Sequence, residues 1–201
     1  MEALKIYNDN IAENQAQQAV EVLKDGGIII IPTDTLYAVA CDALNPKAIE
    51  KVCKLKGINP EKTNLSILCN DISMVSDYAK FDNYAFKLLK DNTPGPFTFL
   101  FRAASSLPRA FKGRKIVGIR IPENDATRKV IEMMGSPLLS TSIPYSDEDY
   151  ALNPDLMEEE FQNVVDLIIK GDEGKLQPSA VVDCTGGAPE VIRQGPKPLV
   201  E

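Results

Sequence analysis

The chain has 201 residues, of which 44% are hydrophobic and 25% are charged. These fractions are typical of a globular protein and exclude a disordered or fibrous chain, and the length suffices to bury a core without disulfides or structural metals. The formal net charge of −7 argues against nucleic-acid binding driven by bulk charge, although it leaves room for a local basic cleft.

The sequence contains no histidine, which removes whole classes of active site. A Ser-His-Asp triad, a Cys-His pair and a His-ligated zinc site are all excluded. Of the four cysteines, none of which forms a Cys-x-x-Cys motif, we expect three to be buried as small hydrophobic side chains: Cys41, Cys53 and Cys69. Free thiols, no signal-peptide features and no apolar run long enough to span a bilayer predict a cytoplasmic protein without membrane contact.

Hydrophobic periodicity predicts a helix over about 10–24, followed by a buried strand over 28–31 and a second apolar strand over 36–41. The turn between these strands, Pro32-Thr33-Asp34-Thr35, carries hydroxyl and carboxylate groups. Asn45 and Pro46 are typical of a helix N-cap and first residue, and Gly57 is well placed to end that helix after Lys56.

Lys56 falls on the inward-facing row of this second helix, with Ile49 and Cys53. A lysine in such a position either extends its ammonium to solvent or reaches an anion in a cleft. The sequence leaves both alternatives open.

Further strands are predicted over 64–69, 97–101, 117–121, 164–169 and 180–183, with one or two helices within 78–90 and another from Asn124 or Asp125 to about Met134. Strand alternation places Thr98 opposite the neighbouring phenylalanines, and Arg120 opposite Ile119 and Ile121. Residues 140–142 carry three consecutive side-chain hydroxyls at a strand end, and residues 144–154 are predicted to form an acidic loop. We therefore predict one α/β domain over residues 1–201, with a twisted mixed sheet and flanking helices.

The sequence has neither a P-loop nor a Rossmann fingerprint. What remains is a set of polar residues at strand ends, turns and a helix end: Thr33, Thr35, Lys56, Lys62, Thr98, Arg120, Ser140, Ser142 and Arg193. Each also has an ordinary structural interpretation, because a turn threonine usually caps local backbone. The stretch 102–129 holds eight basic residues against two acidic ones. The residues alone thus predict no more than an α/β domain that could hold an anion-binding cleft.

Five segments in order resemble the YrdC/YciO family, and together they cover nearly the whole chain: 31–38, 93–98, 118–122, 139–142 and 191–195. The resemblance implies a single twisted open sheet with a concave, positively charged face. It also implies the activity of a threonylcarbamoyl-AMP synthase, a nucleotidyltransferase-like enzyme. Such an enzyme joins L-threonine, bicarbonate and ATP, with Mg²⁺, to give threonylcarbamoyl-adenylate and pyrophosphate for the t6A modification of tRNA.

The same resemblance implies roles for individual residues. Nucleotide or phosphate would be bound by Lys56, Lys62, Thr98, Ser140, Ser142 and Arg193, and the other substrates by Thr33, Thr35 and Arg120. Magnesium would be held by ATP phosphates and water, with no dedicated protein ligands. Such chemistry needs positioning and charge neutralisation rather than a histidine.

Two positions depart from the family pattern and place the chain nearest the YciO branch. Ile58 stands where the Lys-x-Arg motif has arginine, and Pro144 stands where the Ser-x-Asn motif has asparagine. A charge-assisted hydrogen bond contributes about 1.5–3 kcal/mol, so losing both groups could cost roughly 10²- to 10⁴-fold in catalytic efficiency. Three alternatives follow: a weakened synthase, a double-stranded RNA or tRNA-binding module without synthase activity, or a remnant whose pocket binds nothing well.

Overall fold

A mixed, open β-sheet organises this computed structural model, which describes residues 1–60, 63, 65–107, 111, 115–143 and 149–201. The strands within these residues are β1 (Glu2–Lys5), β2 (Ile29–Ile31), β3 (Ala38–Asp42), β4 (Ser66–Leu68), β5 (Ala79–Lys80), β6 (Phe97–Ala103), β7 (Ile116–Arg120), β8 (Leu138–Ser142), β9 (Leu167–Lys170), β10 (Ala180–Asp183) and β11 (Glu190–Arg193). Their order is β1-β9-β2-β3-β8-β4-β7-β6-β10-β11, with β5 beside β6. Parallel and antiparallel pairs alternate irregularly, which confirms the predicted mixed sheet.

The described residues also form six α-helices and a short 3-10 turn over Asp149–Ala151: α1 (Glu13–Lys24), α2 (Pro46–Lys56), α3 (Ile72–Tyr78), α4 (Asn83–Asn92), α5 (Asp125–Met134) and α6 (Pro154–Phe161). Helix α2 has the predicted bounds, because the Asn45 side chain accepts from two backbone N–H groups and Gly57 takes a left-handed φ of 62°. Asn124 caps α5 in the same way.

Some elements differ from the prediction for local reasons. Helix α1 begins three residues later than expected, because Tyr7 and Asn10 pair in a β-bridge and the Gln15 side chain accepts from the Ala12 N–H. One of the one or two helices predicted within 78–90 is confirmed as α4, which starts at Asn83, whereas α3, which ends at Tyr78, was not predicted. The missed signals were two aspartate N-caps, Asp71 and Asp82.

Two further elements of the structure, strand β1 and helix α6, were not predicted. Strand β1 pairs with β9. No element was predicted between the acidic loop, which was expected to end at Pro154, and the strand from 164; helix α6 lies there, and its first turn is capped by the Asn153 side chain. Residues 144–148 of that loop, Pro144 among them, lie outside the described residues.

The two faces of the sheet are covered unequally. One face is buried in a large core beneath α2, α3, α4 and α6, and its strand residues include Val39, Ile67, Phe99 and Ile119. On the other face, a smaller core beneath α1 and α5 covers β2, β3 and β9 and the adjoining ends of β8 and β4. The rest of that second face, over β8, β4, β7, β6 and β10, is where the candidate site lies.

The three cysteines predicted to be buried are confirmed as buried free thiols: Cys41, Cys53 and Cys69. Within the described part of the chain, no helix has the length and apolar character needed to cross a membrane.

Candidate functional site

Small and hydroxyl side chains form the floor of a cleft on the open face of the sheet. Ser140 of β8 pairs with Ser66 of β4, which pairs in turn with Gly118 of β7. Thr98 of β6 lies beside Gly118, and a Cβ built on this glycine would overlap Ser66 Oγ and come within 3.2 Å of the Thr98 methyl carbon. The cleft has a volume of about 210 Å³. Short side chains on this face leave that volume open, while their strand neighbours fill the core behind.

One wall of the cleft is the turn between β2 and β3. Thr35 is buried and lines the cleft, and its backbone N–H donates to Thr33 Oγ1 at 3.0 Å. The Thr33 hydroxyl donates to the Leu36 carbonyl at 2.7 Å and lies 3.1 Å from Thr35 Oγ1. Thr33 is not among the lining residues and holds the turn that presents Thr35.

Arg120, at the end of β7, brings a buried positive charge to the cleft. Its Nη2 donates to Asp34 Oδ1 at 2.7 Å and to Thr35 Oγ1 at 3.1 Å, while Asp34 Oδ2 accepts from the Glu123 N–H. Burial lowers the pKa of Arg120, Asp34 opposes that shift, and the nearby charge of Arg193 adds to it. The Arg120 Nε is buried without a hydrogen-bond partner.

Arg193, on the edge strand β11, is the second guanidinium of the cleft. Its Nε donates to the Ser179 carbonyl at 2.9 Å, and its Nη2 lies 3.3 Å from Ser179 Oγ. Ser179 Oγ is also 2.8 Å from Thr98 Oγ1. Ser179 therefore orients Arg193 and ties it to the cleft floor.

Lys56 reaches the edge of the cleft from the end of α2. Its ammonium donates to the Ser142 carbonyl at 2.6 Å, and partial burial lowers the pKa of Lys56. Lys56 itself is not among the residues that line the cleft, but its ammonium contacts Ser142, which is.

The structure brings most of the predicted site residues together. Six of them line the cleft: Thr35, Thr98, Arg120, Ser140, Ser142 and Arg193. Lys62 lies outside the described residues. Ile58, the departure from the family motif, is part of the lining.

The polar residues of the site that were not predicted include Asp34, Ser66 and Ser179, together with Thr63 and Thr141 of the lining. Asp34 sits in the turn already singled out for its hydroxyls, and Ser66 is a lone hydroxyl between Leu65 and Ile67. Ser179 directly precedes a predicted strand, so the rule that selected other strand-end hydroxyls could have found it. Within the described residues, no group of three acidic or cysteine side chains is arranged to hold a metal ion.

Gly195 lies two residues after β11 and packs closely against Ala180 of β10, so a substitution there tests whether β11 can move away from β10. A Cβ on this residue would overlap the Ala180 backbone nitrogen and lie 2.9 Å from the Ala180 Cα, whereas a Cβ on Gly187 would meet nothing within 4 Å. We expect Gly195→Ala to destabilise the protein by about 1–3 kcal/mol in urea unfolding and Gly187→Ala to change it little. Equal stability of the two variants would show that β11 can shift away from β10 at no cost.

Comparison with known proteins places the chain among relatives of the same size. A family model described as Sua5/YciO/YrdC, "Telomere recombination", matches residues 21–195. The "Uncharacterized protein YciO" of Escherichia coli K12 is 35% identical over 193 residues, covering 94% of this chain and 93% of that protein. A Methanocaldococcus jannaschii protein named "Putative threonylcarbamoyl-AMP synthase" is 32% identical over 203 residues, covering 98% and 94%.

Solved structures agree with this assignment. The crystal structure of E. coli YciO matches with a TM-score of 0.90 and 34% identity, over 98% of both chains. P. abyssi Sua5 complexed with L-threonine matches with a TM-score of 0.87 and 25% identity, over 97% of this chain and 58% of that one. The cleft thus lies in an open-sheet α/β domain of known type, and the chain belongs to the Sua5/YciO/YrdC family.

Proposed function

We propose that the cleft binds a nucleotide and an amino acid, and that the protein is a threonylcarbamoyl-AMP synthase-like nucleotidyltransferase of reduced efficiency. The substrates would be L-threonine, bicarbonate and MgATP, and the products threonylcarbamoyl-adenylate and pyrophosphate. The family supports this proposal, since one relative carries the synthase name and a related structure holds L-threonine.

The observation that carries the proposal is the presence of two guanidinium groups in one cleft. Asp34 neutralises Arg120, but Arg193 has no carboxylate partner among the ion pairs of the described residues. Arg120 retains an unpartnered Nε despite its burial. Guanidinium groups bind phosphate and carboxylate oxygens strongly, so an anion in the cleft would pair with Arg193.

The chemistry asked of these residues is positioning and charge neutralisation. The hydroxyls of Ser140, Thr98 and Thr35 would orient phosphate, carbamate or carboxylate oxygens, and the guanidinium groups would stabilise the negative charge that develops during transfer. The described lining has no carboxylate free for a metal, since Asp34 is occupied by Arg120 and the Glu123 N–H. Mg²⁺ would therefore enter as part of the MgATP substrate, held by phosphate and water oxygens.

The direct test incubates the protein with labelled L-threonine, bicarbonate and MgATP beside an active YrdC-type enzyme. We expect slow, threonine-dependent release of pyrophosphate. The matched variants are Arg193→Gln, which should abolish it, and Lys90→Gln, which removes an exposed charge on α4 and should not. No pyrophosphate above background, with an active control, would rule the synthase proposal out.

The variant Lys56→Ala tests whether Lys56 binds the ligand or only packs within the fold. Saturating nucleotide at about 100 times its Kd should stabilise the wild type by about 2.7 kcal/mol, or roughly 5–11 °C in Tm for a chain of this size. We expect Lys56→Ala to keep a nearly unchanged Tm without ligand and to lose most of that nucleotide-induced shift. Lys54→Ala, which removes an exposed lysine of the same helix, should retain the full shift. If Lys56→Ala unfolds the protein instead, Lys56 serves packing.

A second candidate function is the binding of double-stranded RNA or tRNA in the cleft without synthesis. It is favoured by Ile58, which gives the lining an apolar side chain where a synthase motif has a triphosphate-binding arginine. Binding driven by phosphate contacts should weaken steeply as salt rises. An affinity for a tRNA that stays flat between 50 and 300 mM salt would exclude this alternative.

A further inference from the structure

A second group of cations lies on the open face of the sheet, beyond the cleft. Lys80 of β5 and Arg102 of β6 stand directly opposite each other in the antiparallel ladder, and Lys115 precedes β7. With Ala103, Ile116 and Thr185 they line a groove of about 510 Å³, which we call the basic groove. Arg102 shares its face of β6 with Thr98, four residues earlier, so the groove continues the open face about 13 Å from the cleft floor.

The arrangement of these cations works against the stability of the fold. Side chains directly opposite on antiparallel strands have Cβ atoms about 4.5–5.5 Å apart, and like charges in such positions repel. None of the ion pairs among the described residues includes Lys80, Arg102 or Lys115, although Lys170 elsewhere has two carboxylate partners.

The carboxylate of Asp183 forms no ion pair with these cations among the described residues. Asp183, in the neighbouring strand β10, turns its Oδ1 to the N–H and hydroxyl of Thr185 and so satisfies its own turn. Three other cations of the basic stretch 102–129 that the structure describes do have partners: Arg120 with Asp34, Arg128 with Asp125, and Lys129 with the Ile11 carbonyl. Arg102 and Lys115 differ from these three residues, because they line the basic groove and take part in no ion pair among the described residues.

We propose that the basic groove is a second anion-binding site, separate from the cleft, that takes the phosphate groups of a nucleotide-containing ligand. Its lining supplies three cations for phosphate oxygens, and the apolar Ile116, which stands opposite Arg102 in the ladder, accepts the organic part of the ligand. The proposal does not depend on synthase activity in the cleft. The phosphates belong either to an RNA strand or to a free nucleotide, and the experiment distinguishes these two sources.

The test compares the double variant Lys80→Gln/Arg102→Gln with the matched control Lys87→Gln/Lys90→Gln, which removes two exposed charges from α4. The probes are a fluorescein-labelled 12-nucleotide single-stranded RNA, followed by anisotropy, and ATP, followed by calorimetry. For an RNA strand, losing two phosphate contacts should reduce the slope of log K against log salt concentration by about 1.4 and weaken binding at least fivefold at 50 mM salt. For a free nucleotide, the number of ATP molecules bound per chain in calorimetry should fall by one, to the cleft site alone, and the RNA slope should stay unchanged. If the double variant and the control behave alike with both probes, the proposal is wrong.

Stability supplies a second, ligand-independent measurement. Because the like-charge repulsion is removed, the Tm of the double variant should equal or exceed that of the wild type, by up to about 4 °C, while the control stays near the wild-type value. A clearly lower Tm of the double variant would mean that Lys80 and Arg102 serve the fold, which contradicts the proposal. Threonine-dependent pyrophosphate release, measured on the same variants, should be unchanged, so a failure of the groove and a failure of the cleft are told apart.

Discussion

Replacing Arg120 with methionine is expected to lower the free energy of unfolding by about 3–5 kcal/mol, measured by urea denaturation. Asp34 Oδ1 lies 2.7 Å from Arg120 Nη2, and only 6% of the Asp34 side chain is exposed. The substitution therefore leaves a buried carboxylate without its cation. At roughly 2–4 °C per kcal/mol for a chain of this size, the Tm should fall by roughly 6–20 °C.

Two further variants make this result specific to the buried pair. Arg120→Met combined with Asp34→Asn should recover much of the loss, because asparagine keeps an oxygen for the Glu123 N–H and carries no charge. Lys197→Met breaks an ion pair to Glu123 whose side chains are more than half exposed, and should cost no more than about 1 kcal/mol. A single Arg120→Met variant no less stable than Lys197→Met would show that water reaches Asp34.

The second large effect is expected on activity, from Ile58→Arg. Ile58 lines the cleft and is only partly buried against the core, so a longer side chain can extend over the cleft. One restored charge-assisted hydrogen bond of about 1.5–3 kcal/mol corresponds to a gain of about 10- to 150-fold. We expect kcat/KM for threonine-dependent pyrophosphate release to rise by a factor in this range.

Ile58→Gln is the matched control for this gain. It introduces a polar side chain at the same place without the charge, so its activity should remain close to that of the wild type. A folded Ile58→Arg protein that is no faster than Ile58→Gln would show that the isoleucine does not limit the reaction. The synthase proposal would then lose its explanation for reduced efficiency.

Local features of the fold could be predicted because their causes are local in sequence. Asn45, Pro46 and Gly57 bound α2 correctly, since capping and left-handed backbone geometry depend on a few adjacent residues. The alternation in β6 placed Thr98 on the face that proved open and its phenylalanine neighbours in the core. The helix around 72–78 was missed because its signal is a single aspartate cap.

The grouping of the site could not be derived from periodicity. Asp34 and Arg120 are 86 positions apart, and Thr98 and Ser179 are 81 apart. Their contacts depend on the strand order, in which β10 pairs with β6 and β4 lies between β8 and β7. A hydrophobic pattern predicts which face a residue occupies but not which strand becomes its neighbour. It was the resemblance to a family that indicated which polar residues belong together.

The position of Arg193 has a consequence for biosynthesis. This arginine is supplied by the last strand of the sheet, and Ser179, which orients it, lies just before the preceding strand. The lining of the cleft is therefore incomplete until residue 193 has been synthesised, although Arg120, the partner of Thr35, is made much earlier. On the proposal that the cleft binds an anion, a chain that stops before Arg193 should bind it more weakly than the 201-residue chain.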